Sequence, residues 1–317
     1  MKRILLAAPR GYCAGVDRAV KMVERALETL GSPVYVRKEI VHNRHVVSEL
    51  EKRGAIFVES EQEIPEGSVC IFSAHGVSPE VRRNADARGL QVIDATCPLV
   101  TKVHLEAKRF DRAGRQIVLV GHVGHEEIEG TAGEAPGRTH VIEDVDQIEK
   151  LGMETGEPIA FLTQTTLSMD DTRNVVEALR GRFTNIVGPN SDDICYATQN
   201  RQVAVKAIAP ESDVVLIVGA VNSSNSNRMV EVAKKAGTPA YLVPDESHLD
   251  PAWLDGAETV GVSSGASAPE VLVDGLLERL KALGYDTVET KEVTSEDVTF
   301  SLPPWLREEV SAVPDPN

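Results

Sequence analysis

Three stretches of this chain each set one cysteine in a turn: GYCAG at residues 11–15, DATCP at 94–98 and DDICYAT at 192–198. Cys13, Cys97 and Cys195 stand 84 and 98 residues apart, each interval the size of a small domain. After each cysteine the same order of elements restarts. An apolar run then ends in a polar motif whose leading residue, His42, His125 or Ser223, lies 29, 28 or 28 residues beyond its cysteine. A second run ends near His75, Thr165 or Ser267, at 62, 68 or 72 residues. A period that regular constrains the chain to three like units rather than one continuous sheet.

Each unit alternates strand and helix signals. Residues 3–8 read as a short buried strand, and residues 17–30 carry apolar side chains at helical spacing and stop at Gly31. PVYVRKEIVHN reads as a strand ending at His42, and VCIFS as one leading into SAHG. QIVLV, PIAFL, VVLIV and ETVGV recur at matching places, with helices expected over residues 100–113, 202–208 and 268–280. Strands apolar on both faces predict an α/β protein of three small βαβ-type parallel-sheet domains. The expected units are residues 14–96, 97–194 and 195–285, the third completed by the strand in residues 1–13, with a tail over 286–317. Ligands of such sheets bind beyond the carboxyl ends of the strands. All six polar motifs lie there, so three inward-turned units gather them and the three thiols about one pocket. The acidic, proline-rich tail is expected to pack over the body near Trp305 and to fray.

With 33 basic and 49 acidic residues in 317, the formal charge of −16 opposes general affinity for nucleic acid or an anionic membrane. An anionic ligand therefore needs a local site. Four cysteines so widely spaced do not form a disulfide framework and fit a reducing, cytoplasmic setting. The first apolar run breaks at Pro9 and Arg10, short of a signal peptide, and no stretch approaches the roughly 20 apolar residues of a membrane span.

Thiolates select soft metals, zinc or iron-sulfur above all. A structural zinc site takes four ligands, usually in close sequence pairs, and this chain has none. A 4Fe-4S cube held by three thiolates leaves one iron without a protein ligand, as a reaction needing substrate oxygen on iron requires. Against this stands the reading of each cysteine as a small core residue, which Cys70 inside VCIFS satisfies. Cys13, Cys97 and Cys195 sit instead in turns at repeat-equivalent points. NSSNSNR opens a helix, so Ser223, Ser224 and Asn225 suit an anion as well as a plain cap. Ser267 stands in the same relation to the next helix, and His42, His75 and His125 can donate to the same anion. No phosphate-loop or dinucleotide fingerprint is present. His45, His104, His140 and His248 read as satisfied surface or core residues. Glu127 follows His125 by two and is the candidate acid, although Glu126, Glu127 and Glu129 also read as a solvated helix face.

Together PRGYCAGVDRA, VHNRHVV, FSAHGVS, DATCPLVTKVH, GHVGHEEIEGT, TQTTLS, DDICYATQNRQ, NSSNSNR and GASAP resemble the 4-hydroxy-3-methylbut-2-enyl diphosphate reductase family, which ends the non-mevalonate isoprenoid pathway. The resemblance covers about residues 3–280. It implies a pseudo-threefold trefoil around a 4Fe-4S cluster on Cys13, Cys97 and Cys195. It further implies a diphosphate site of His42, His75, His125, Ser223, Ser224, Asn225 and Ser267, with Glu127 and Thr165 near the substrate hydroxyl. The implied reaction is reductive dehydroxylation to isopentenyl and dimethylallyl diphosphate, the alcohol on the open iron and electrons from a small flavodoxin- or ferredoxin-type protein. Two alternatives are a quinolinate synthase, also a three-cysteine trefoil but without NSSNSNR and GHVGHEE, and an iron-sulfur redox sensor. A sensor of nucleic acid needs a basic output surface, which the charge balance opposes.

Overall fold

The computed structural model describes residues 2–307. Its strands are β1 (Arg3–Ala8), β2 (Val34–Arg37), β3 (Ala55–Val58), β4 (Val69–Phe72), β5 (Gln91–Asp94), β6 (Gln116–Val120), β7 (Thr139–Ile142), β8 (Ile159–Thr163), β9 (Ile186–Val187), β10 (Val214–Val218), β11 (Ala240–Val243), β12 (Thr259–Ser264) and β13 (Thr287–Glu292). Its α-helices are α1 (Ala14–Leu30), α2 (Arg44–Lys52), α3 (Pro79–Ala87), α4 (Pro98–Arg112), α5 (Glu126–Ala132), α6 (Met169–Arg182), α7 (Tyr196–Ile208), α8 (Ser224–Lys235) and α9 (Glu270–Ala282).

The strands form three sheets, ordered β3-β2-β4-β5, β7-β6-β8-β9 and β11-β10-β12-β1-β13, and every pairing is parallel. The first four positions of each order match. The amino-terminal strand β1 fills in the third sheet the place that β5 and β9 fill in the others, so the start of the chain closes the ring. Central strands such as β8 and β10 are buried along their whole length, as sheets covered on both faces require. Each sheet has apolar clusters of its own, for example Val34, Val36 and Ile71 with Val23 of α1, and Leu216 and Val262 with Leu276 of α9.

Helix starts follow local chemistry. Cys13, Ser168, Cys195 and Ser223 each cap their helix by accepting a backbone N–H. α1, α4 and α7 begin directly after the three cysteines, earlier than apolar periodicity suggests, because a cap and first turn carry no apolar signal.

Two expectations need correction. β2 ends at Arg37, since Lys38 takes φ 60° and its N–H turns to Val58 O at 2.7 Å. His42 thus stands in a turn five residues past the strand. Residues 287–292, expected in the tail, form the edge strand β13 beside β1, with Arg3 Nη1 on Glu289 at 2.8 Å. TVETKE has no buried face and so gives no apolar pattern. The following segment crosses to α1, where Leu306 is 1 % exposed and Leu302 packs on the first core, whereas Trp305 stays exposed. The end of the expected tail, VPDPN, lies outside the described residues. Among those described, no helix is long and apolar enough to cross a membrane.

Candidate active site

In each sheet the strand order reverses between the second and third strand, the switch point where parallel sheets bind ligands. His42 follows β2 and His75 follows β4; His125 and Thr165 follow β6 and β8; Ser223 and Ser267 follow β10 and β12. The three switch points face one cavity. All twelve candidates line it: Cys13, Cys97, Cys195, His42, His75, His125, Glu127, Thr165, Ser223, Ser224, Asn225 and Ser267. Cys70 is fully buried in the first unit's core instead.

The cysteines form the floor. Each follows the strand at the fourth position of one sheet, β5, β9 or β1, and starts the helix of the next unit. Their backbone N–H groups donate alike, Cys97 to Ala74 O at 3.0 Å, Cys195 to Thr165 O at 3.0 Å and Cys13 to Ala266 O at 3.2 Å. These bonds align Ala74, Thr165 and Ala266, so the counterpart of His75 and Ser267 is Thr166, one residue later than spacing suggests. All four cysteines are free thiols. Burial pushes Cys97 up to about 12, with Cys13 and Cys195 adding to it, and Cys195 up to about 11, with Cys13 adding. Burial also raises Cys13, partly offset by the Val16 N–H and the charge of Arg201. Three such thiols become thiolates together only around a cation.

Donor type and number narrow which metal group the floor could hold. A zinc ion with sulfurs at about 2.3 Å in tetrahedral array would hold them ~3.8 Å apart. The only His, Cys, Asp or Glu group among the described residues whose donor atoms all fall within 4.8 Å is His42, His75 and Glu126, not the cysteines. Three soft donors brought together from separate units can hold a metal group between them. Gly15 leaves it room, because a Cβ there would stand 2.7 Å from Cys97 Sγ and 3.8 Å from Cys13 Sγ.

The opposite wall is polar, yet no lysine or arginine lines the cavity among the described residues. His42 and His75 stack at 4.1 Å between ring centroids, with His125 edge-on to both. Burial depresses His75, but its 2.9 Å contact with Glu126 and that carboxylate's charge outweigh burial and hold its pKa above the usual histidine value. Glu126 in turn is held down at about 2 despite burial, by His75 first and then His42. His125 goes the other way, to about 3, through burial and the charges of His75 and His42. It is neutral, and its Nδ1 accepts the Glu127 N–H at 3.1 Å, which leaves Nε2 as the ring donor.

Glu127 is buried and its carboxylate is held by one residue. Thr165 donates its N–H to Oε2 at 3.0 Å and its hydroxyl across both oxygens at 3.0 and 2.9 Å. From the third unit, Ser267 Oγ donates to His42 O at 3.0 Å and Ser224 Oγ to Thr166 O at 3.5 Å. Ser223 caps α8, and Asn225 spans Thr198 Oγ1 at 3.3 Å and the Ala266 N–H at 2.9 Å. Sequence reasoning passed over Glu126, as part of a charge run, and Glu39, which meets His42 Nδ1 at 3.2 Å and Asn222 Nδ2 at 2.9 Å. Glu126 follows His125 directly and Glu39 precedes His42 by three, and that nearness to a motif histidine was the available signal. His104, expected to be satisfied, bonds Glu134 at 2.9 Å through Nδ1 but leaves buried Nε2 without a partner.

The model of one protein family matches residues 4–281, the LytB protein family. The chain belongs to the LytB family. LytB relatives named 4-hydroxy-3-methylbut-2-enyl diphosphate reductase include that of Corynebacterium diphtheriae, 61 % identical over 96 % of this chain and 92 % of the relative. That of Mycolicibacterium paratuberculosis is 59 % identical over the same shares. Among solved structures, the E-1-hydroxy-2-methyl-but-2-enyl-4-diphosphate reductase of Plasmodium falciparum superimposes with a TM-score of 0.93 at 38 % identity over 96 % of both chains. A second, described as the terminal enzyme of the non-mevalonate pathway, gives 0.63 at 34 % identity over 89 % of this chain and all of the other.

Proposed function

We propose that this chain reduces 4-hydroxy-3-methylbut-2-enyl diphosphate to isopentenyl and dimethylallyl diphosphate. The observation that carries the reading is one cavity with three free thiols as its floor and a histidine and hydroxyl wall without lysine or arginine opposite. The donor set fits a 4Fe-4S cluster on Cys13, Cys97 and Cys195: three soft donors lining one cavity, with positive helix ends behind them. When bound, such a cluster supplies electrons one at a time and an iron free of protein ligands. A small flavodoxin- or ferredoxin-type protein would deliver the electrons.

The chain's own residues bind the diphosphate and move a proton. His75, held toward its protonated form by Glu126, gives the anion a charge-assisted donor on the wall, and neutral His125 gives an Nε2–H donor. Ser223, Ser224 and Ser267 turn their hydroxyls from backbone carbonyls and caps to phosphate oxygens, joined by the free N–H groups that open α8. His42 stacks against His75 and completes the donor wall. Asn225, with both ends of its amide engaged, holds Thr198 and Ala266 in register as well as facing the ligand.

Glu127 supplies the proton for loss of the hydroxyl. The Thr165 hydroxyl, which donates to Glu127 when that carboxyl is ionised, would reverse its bond when Glu127 carries a proton: the carboxyl proton passes to Oγ1 as the threonine's own proton moves to the leaving oxygen, so water departs and the carboxylate remains. Two electrons and a second proton, to carbon, balance the reaction. The test is iron and sulfide content of anaerobically purified protein, with turnover of the hydroxylated diphosphate under dithionite. Four irons per chain and formation of both isomers are expected; a protein with iron and sulfide but no turnover is a sensor, and one with neither refutes the reading.

A further inference from the structure

The cysteines are not the only feature that recurs at the floor. Five residues after Cys13 stands Arg18, five after Cys97 stands Lys102, and six after Cys195 stands Arg201, each on the helix that its cysteine starts. Each cation reaches the loop that delivers the next cysteine round the ring. Arg18 Nη1 donates to Ala95 O at 3.4 Å and Thr96 O at 3.2 Å, just before Cys97. Lys102 Nζ donates to Ser191 O at 2.7 Å and Asp192 O at 2.8 Å, and pairs with Asp193 Oδ1 at 3.1 Å, just before Cys195. Arg201 donates from Nε at 3.1 Å and Nη2 at 2.6 Å to Gly11 O, just before Cys13.

The topology gives these contacts a meaning that no single one has. Each unit receives one cysteine at the start of its first helix and passes on another from the strand at the fourth position of its sheet, β5, β9 or β1. A cation that ties that helix to that loop fixes the span between two neighbouring cysteines. Arg18 ties the Cys13–Cys97 edge, Lys102 the Cys97–Cys195 edge and Arg201 the Cys195–Cys13 edge. Three staples therefore close the whole triangle, each putting one positive charge beside a cysteine loop. Arg201 is fully buried and clamped further by Glu296, at 3.0 Å from Nη1.

We propose that Arg18, Lys102 and Arg201 are positioning residues of the cysteine triangle, each setting one edge, and that they fix how tightly the iron-sulfur group is held and how readily it accepts an electron. This rests on the reductase reading of the floor. Partners one shell beyond a metal's ligands are worth on the order of 10–100-fold in retention of the metal. Loss of a nearby positive charge also makes adding an electron harder.

The test uses the anaerobically reconstituted chain carrying Lys102→Met or Arg18→Met, which keep an apolar stem at positions that are not fully buried. Iron release to an excess of chelator is timed, and the reduction potential is read by titrating the spectroscopic signal. Release on the order of 10-fold faster and a lowered potential are expected in both, with Lys102→Arg restoring both readouts. Wild-type release and potential in both methionine variants overturn the proposal while the reductase reading stands. So does a variant whose metal-free form merely melts lower, with unchanged potential and no rescue by arginine. A wild-type chain that takes up no iron and sulfide overturns the reductase reading itself.

Discussion

The floor and the wall of the cavity are built from the same threefold repeat, yet only the floor keeps the symmetry. At the floor every unit contributes the same parts: a cysteine, its backbone N–H on a strand-end carbonyl, the helix behind it, and a cation reaching the next loop. On the wall the equivalent positions diverge, to His42, His125 and Ser223 at one motif and His75, Thr166 and Ser267 at the other. Histidine is thus concentrated in the first unit, halved in the second and absent from the third. A compact metal group bound through three like donors asks the same of each unit. A substrate with a diphosphate at one end and a hydroxyl at the other does not, and the wall has specialised accordingly.

The largest expected effect breaks the floor. Cys13→Ser, Cys97→Ser and Cys195→Ser should each remove most of the iron and abolish turnover, while Cys70→Ser keeps both, because Cys70 is packed among Ile64, Phe72 and Leu90 away from the cavity. Iron analysis of the four variants side by side checks this, and iron loss confined to Cys70→Ser would reverse the assignment. On the wall, Glu127→Gln should leave the iron content intact and lower turnover by on the order of 10²–10⁴-fold, the usual cost of losing a general acid. Turnover within about threefold of the wild type would put the proton source elsewhere, and loss of iron would make Glu127 a structural residue.

That contrast also governs how much could be read in advance. The floor was legible because cysteine is rare here and its recurrence at near-constant intervals is visible without any packing information. The wall was legible where a motif carried histidine or serine at a strand end, as at His42, His125 and Ser223. Glu126 and Glu39 were not, since what distinguishes a cavity carboxylate from a solvated one is burial and a partner from another unit, here His75 and Asn222. The cation staples escaped for the same reason: Arg18, Lys102 and Arg201 look like ordinary helix charges until the fold brings the next cysteine loop within reach. β13 was hidden because an exposed edge strand has no apolar face to leave a trace.

A smaller effect separates anion binding from helix capping. Ser223→Ala with Asn225→Ala should raise the KM for the diphosphate by on the order of 10-fold or more, as loss of hydrogen bonds to a charged group does, with less change in kcat. Ser223 also caps α8 and Asn225 bridges Thr198 to Ala266, so a lower melting temperature is expected beside it. An unchanged KM with a lowered melting temperature would leave Ser223 and Asn225 as structural parts only.

The smallest expected effect sharpens the comparison by asking what keeps a buried histidine charged. Burial alone would drive His75 neutral, and the Glu126 contact reverses this. A folded pKa above the unfolded value means that the His75 contribution to stability is fully present below about 6.5 and lost as pH rises through the raised value. Glu126 runs the opposite way, contributing above its unfolded value of about 4.5 and losing that as pH falls toward about 2. The two windows overlap between about 4.5 and 6.5, where His75 can offer the diphosphate its charge. In Glu126→Gln burial is opposed only by the charges of Glu127 and Glu39, so the His75 pKa should fall and its proton be recovered only at lower pH than in the wild type. KM should then be raised a few-fold at pH 7, within the roughly 1 kcal/mol expected of one partly screened charge, and fall back toward the wild-type value at lower pH. Iron content should not change, because the residue belongs to the wall alone. KM measured across pH for both proteins decides it: parallel profiles would remove His75 from anion binding and leave its pairing with Glu126 as a contact between the first two units.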